Sequence, residues 1–124
     1  MTFTDLTDLA SERMGCRSLA ANDEFFAPKE NLLKPGRGIS IPEKFTSRGK
    51  WMDGWETRRR RSPGFDWCLI RLGLRGLIRG IDVDTNHFVG NFPESCSIDA
   101  CHTTVSTPVK RLLKDPTAWT EIVP

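Results

Sequence analysis

At 124 residues and a formal net charge of +2, the chain is bounded to at most one domain and lacks the strong positive charge of a general nucleic-acid binder. Its 38% hydrophobic and 27% charged residues are too apolar a mixture for disorder. No apolar run approaches the ~18 residues that would span a membrane. The acidic opening MTFTDLTDLASERMG has no basic flank followed by an apolar stretch, so neither an export signal nor a transit peptide is expected. Cys16, Cys68, Cys96 and Cys101 form no CxxC pair and read as reduced thiols of a cytoplasmic protein.

Residues 4–14 are expected to form a short helix. Thr4 suits the N-cap, Leu6, Leu9 and Ala10 share a face, and Gly15 can end it. So short a helix needs docking to persist. Residues 17–27 (RSLAANDEFFA) look extended, with a carboxylate at the strand end beside two phenylalanines. PKENLLKP, residues 28–35, is a proline-bracketed loop anchored by Leu32 and Leu33. Residues 36–47 form a surface connection.

The stretch GKWMDGWETRRRRSPGFDWCLIRLGL, residues 49–74, holds three of the four tryptophans and four consecutive arginines. Two strand-like segments flank a Ser62-Pro63-Gly64 turn. Trp67 to Leu74 reads as a half-buried sandwich strand. Trp55 to Arg61 is stranger. On a strand, Arg59 and Arg61 would face one way and Arg58 and Arg60 the other, and a buried guanidinium needs a partner. Either this strand lies at an edge or one face meets an anion.

Leu77 to Asp84 alternates as another strand, and residues 85–94 are loop. Ser95 to Cys101 alternates again. Val109 to Lys114 carries a weak helical hint, and Trp119 to Val123 reads as a last short strand. Short strands between Gly, Pro and Asn turns imply an antiparallel sandwich.

Three constellations could carry chemistry. Arg58 to Arg61 could grip a planar anion, since guanidinium forks match carboxylates; they could equally be the solvated charges of an edge strand. Asp53 and Glu56 are either orienting groups or members of structural ion pairs. Asp82, Asp84 and His87 could bind a divalent metal or move protons, or simply hydrogen-bond their loop. Cys96, Cys101 and His102 are wrongly spaced for structural zinc.

Six blocks together resemble the allantoicase family. They are ANDEFFAPKENLL (residues 21–33), GKWMDGWETRRR (49–60), Asp66-Trp67-Cys68, Asp82-Val83-Asp84-Thr85, His87-Phe88 and GNFPESCS (90–97). They occur in family order over residues 3–101. The resemblance implies an all-β fold, a jelly-roll antiparallel sandwich akin to the galactose-binding and discoidin domains. Residues 1–124 would be a single lobe with a divergent tail at 102–124, and the sandwich would be incomplete at its C-terminal end.

The resemblance also implies hydrolysis of allantoate to ureidoglycolate and urea in purine breakdown, by a protein that assembles as a homo-oligomer or needs a second lobe. Within that chemistry, Arg59 or Arg60 would bind the substrate carboxylate, and Trp51 or Trp55 would wall the pocket. Glu56, Asp84 and Glu94 would hold ureido N–H groups, with Glu56 and Asp84 also placed in the catalytic set. His87 would transfer the proton, as a side chain that ordinarily titrates near neutrality. The sequence requires no cofactor, and a divalent metal such as Mn²⁺ is compatible with it. The rival class is a non-catalytic fragment or β-sandwich module that binds a ligand or a subunit.

Overall fold

The computed structural model describes residues 2–88, 92–103, 107–115 and 119–124. The chain divides into two compact units, Met1–Val89 and Gly90–Pro124. Strands, short turns and irregular segments dominate, and none of the described helices is long and apolar enough to cross a membrane.

In the first unit the expected helix over residues 4–14 is replaced by two separate 3₁₀ turns, Phe3–Asp5 and Glu12–Met14. So few residues cannot repay helix nucleation, and single tight turns close instead. Gly15 does end the second turn. Its φ of 86° is left-handed, and its N–H donates to the Glu12 carbonyl at 3.0 Å. A side chain at Gly73 would strike the backbone of Met14 and Gly15, so two chain segments touch there backbone to backbone.

Strand β1 (Arg17–Ala21) pairs antiparallel with β4 (Cys68–Arg71). The register runs Ser18 to Ile70 and then Ala20 to Leu69, leaving Leu19 as the extra residue of a bulge. Beyond the ladder the Asn22 N–H still reaches the Trp67 carbonyl at 3.2 Å. The proline-bracketed loop forms a 3₁₀ turn, Lys29–Leu33, and buries Leu33 while leaving Leu32 exposed. Cys16, Ala27, Leu33 and Leu69 make the core of this unit. Burial pushes the Cys16 thiol up and the Cys68 thiol to about 11. All four cysteines are free. Strands β2 (Phe45–Thr46) and β3 (Gly49–Lys50) form a tight hairpin with Ser47 and Arg48 at its tip.

Two expected strands are absent. Trp55 to Arg61 makes one isolated bridge, Ala27 to Glu56, and is irregular beyond it. All four arginines lie exposed. An irregular path lets every guanidinium reach water, where a strand would have pressed half of them onto a covered face. Leu77 to Asp84 forms no strand either, and Leu77, Ile78, Ile81 and Val83 are exposed. Period-two alternation selects a face but supplies no hydrogen-bonding neighbour, and no described strand pairs with this segment.

In the second unit, β5 (Ile98–Ala100) pairs antiparallel with β6 (Thr120–Val123). Helix α1 spans Val109–Lys114 and buries Leu112, whose carbonyl accepts from Trp119 Nε1 at 2.9 Å. Each of these elements falls within its expected segment.

Candidate active site

The arginine run leaves the fold as a loop whose two arms are gripped by consecutive residues at the end of β1. Asp23 holds the descending arm. Its carboxylate accepts from the Arg58 backbone N–H at 3.3 Å and from Arg58 Nε at 2.8 Å, while the Phe25 N–H closes onto it at 2.8 Å. The Asp23 carbonyl accepts the Trp55 indole N–H at 2.7 Å. The bonds to the carboxylate hold it below its ordinary range, the Phe25 amide most of all and Arg58 after it. Asn22 holds the ascending arm. It donates to Asp66 at 2.7 Å and accepts from the Trp67 N–H at 2.7 Å. Thr57 crosses from the first arm to Asp66 at 3.0 Å.

The four arginines are consequently not equivalent. Arg58 is committed to Asp23. Arg60 lies 3.9 Å from Asp66, reaches the Pro63 carbonyl at 3.5 Å and lies against Gly64. Arg59 and Arg61 are exposed and have no partner among the described residues. The Phe25 ring carries the Arg58 guanidinium at 5.3 Å and that of Arg48 at 4.1 Å, which adds modest cation–π attraction on an exposed face.

A second cluster gathers at the Asp53–Gly54 turn. Asp53 accepts from Lys34 Nζ at 3.2 Å and from the Ile39 N–H at 2.9 Å, and Asn31 donates to the Gly54 carbonyl at 3.0 Å. Asp53 therefore anchors loops, the structural alternative raised for it. Trp51, half-buried, has Lys44 Nζ over its ring at 4.4 Å. A side chain at Gly54 would meet the Phe88 ring, so the loop bearing His87 packs against this turn.

That loop is pinned at its start. Arg37 grips the Asp84 carboxylate with two bonds, of 2.9 and 3.3 Å, and the Asn86 N–H adds a third at 2.8 Å. The Arg37 bond, first among these, holds the Asp84 carboxyl below its ordinary range. His87 is exposed with a φ of 71°, the one positive φ outside glycine among the described residues. Histidine adopts that region more readily than most side chains.

Glu56, half-buried, exchanges backbone hydrogen bonds with Ala27. Glu94 belongs to the second unit and is exposed. No three His, Cys, Asp or Glu side chains among the described residues are grouped to hold a metal, so Asp82, Asp84 and His87 do not form a ligand set. Two hollows, of about 270 and 150 Å³, lie among the N-terminal turns beside Ser11 and Cys16 respectively, and none of the residues named above as site candidates lines either.

The family model described as the allantoicase repeat matches residues 7–124. The chain belongs to this allantoicase repeat family. It is 50% identical over 117 residues to a probable allantoicase 1 of Burkholderia mallei, covering 94% of this chain and 33% of that protein. It is 46% identical to a probable allantoicase of Streptomyces coelicolor, covering 100% of this chain and 36% of the relative. A solved structure of allantoicase superposes with a TM-score of 0.69 at 29% identity, over 94% of this chain and 34% of the other. The all-β sandwich class expected from the sequence stands with that match. The chain spans about a third of the length of the curated relatives it matches.

Sequence reasoning placed a carboxylate at the end of the first extended segment beside the phenylalanines, but gave Asn22, Asp66 and Arg37 no role. For Asn22 and Asp66 the signal lay in the blocks themselves, since Asn22-Asp23 and Asp66-Trp67 both belong to the resembling segments, whereas Arg37 lies in none of them.

Proposed function

We propose that this chain supplies part of an allantoicase site, one that hydrolyses allantoate to ureidoglycolate and urea, and that residues 1–124 form one sandwich lobe of jelly-roll type. Membership of the family carries the reading, and the uncommitted Arg59 supports it locally. Allantoate bears one carboxylate between two ureido groups. Of the two arginines proposed as its clamp, Arg60 already leans on Asp66 and Pro63, whereas Arg59 has a guanidinium to offer. Trp55, its indole N–H fixed on Asp23, is favoured over Trp51 as the wall, because Lys44 already lies over Trp51.

His87 is our proton-transfer group. Its left-handed backbone and its packed neighbour Phe88 are what a held catalytic loop would show. Asp84 and Glu56 remain our choices for ureido N–H groups; Asp84, its carboxyl held below the ordinary range by Arg37, is suited to accepting hydrogen bonds. The four free thiols fit a reducing, cytoplasmic setting.

Urea release from allantoate is the direct test. Arg59→Gln is expected to raise KM by about 10- to 100-fold with kcat little changed, the loss of one charge-assisted fork. An unchanged KM would remove Arg59 from the clamp. Because the relatives are about three times as long, we further propose that a second lobe or further copies complete the site. Allantoate binding without turnover by the 124-residue chain would favour this, or the ligand-binding module.

A further inference from the structure

We propose that Asp23 is a positioning residue for substrate binding, holding Arg58 so that the next residue, Arg59, is presented to the allantoate carboxylate. The inference rests on the reading of Arg59 as the clamp. Asp23 grips Arg58 twice, by the backbone N–H and by Nε. The grip therefore fixes main chain as well as side chain, one peptide away from Arg59. Peptide planarity leaves only two soft dihedrals per residue in between. Asp23 is itself held by the Phe25 N–H, and the ring of Phe25 carries the Arg58 guanidinium. On the other arm, Asn22 anchors Asp66 and Trp67, so both ends of the loop depend on two adjacent residues.

The division of charge follows. Arg58 satisfies Asp23 and Arg60 approaches Asp66, leaving Arg59 and Arg61 without acidic partners among the described residues. A mobile loop would spend binding energy on ordering a long side chain, and a clasped one has less left to order.

Allantoate affinity of the 124-residue chain, as KM or by titration calorimetry, should be measured for Asp23→Asn, Arg59→Gln and the double variant. Asp23→Asn keeps an acceptor for the amides but loses the ion pair. It is expected to weaken affinity about 3- to 10-fold, and to add nothing in the Arg59→Gln background, because coupled residues are not additive. Amide exchange at Arg58 in the free chain should quicken as well. If Asp23→Asn leaves affinity unchanged, or multiplies with Arg59→Gln, the positioning role is wrong while the clamp stands. If Arg59→Gln itself has no effect, the clamp reading fails, and the positioning role with it. Should Asp23→Asn not fold, Arg58→Gln replaces it with the same expectations.

Discussion

Two loops of the first unit are tied down by the same pair of residue types, in opposite senses. In the arginine loop the cation belongs to the loop and the carboxylate to the scaffold. In the His87 loop the carboxylate, Asp84, belongs to the loop and Arg37 reaches over from a surface connection. The difference lies in shielding. The paired guanidiniums of Arg58 and Arg37 are similarly exposed, at 65% and 73%, but Asp23 has a side-chain exposure of 13% and two backbone amides on its carboxylate, whereas Asp84 is 33% exposed and carries one. Exposed ion pairs contribute little and are screened by salt, while carboxylates shielded by the fold and bonded to amides hold firmly. The first tether should therefore be structural, and the second should only bias where its loop sits.

The largest effect is expected at the base of the arginine loop, where β4 begins. Cys68 follows Trp67, and burial pushes its thiol to about 11 from an ordinary 9.0. Its thiolate at pH 8 should be about a hundredfold scarcer than that of an ordinary thiol. Exposed Cys96 should accordingly react first with iodoacetamide, followed by mass spectrometry. Rapid labelling of Cys68 would show that the base of the loop opens.

Next comes Asp23→Ala, which orphans two amides and a guanidinium and is expected to destabilise the chain by about 2 kcal/mol in urea unfolding. Titration should follow the same logic. The folded Asp23 carboxyl lies below its ordinary 3.8. Its contribution is complete above that value and is lost as pH falls through the lower, folded one. The acid limb of the stability curve should be shallower in Asp23→Asn than in the parent chain. The smallest effect belongs to Arg37→Gln. Its melt in high salt should match the parent, and only amide exchange around Asn86 should quicken. A clear loss of stability there would overturn the ranking of the two tethers.

Much of this was legible from residues alone, and the failures are instructive. Helix Val109–Lys114 and the strands within Ser95 to Cys101 and Trp119 to Val123 formed where the pattern put them, since each has its apolar positions and its stop signals close by. Leu77 to Asp84 had the same alternation and made no strand, because a ladder needs a neighbour that no local pattern names. Trp55 to Arg61 failed for another reason. Charge on every side was visible, but whether water or an acid would answer it was not.

The order of residues by itself determined the family, the all-β class and the chemical character of the arginine stretch, because those reside in residue types and short spacings. Only the folded chain decided which guanidinium is spent and which is free. Asp23 and Arg58 are 35 residues apart, and Asn22 and Asp66 are 44 apart. A contact across such a distance exists only after β1 and β4 have paired and brought both arms of the loop to one strand end.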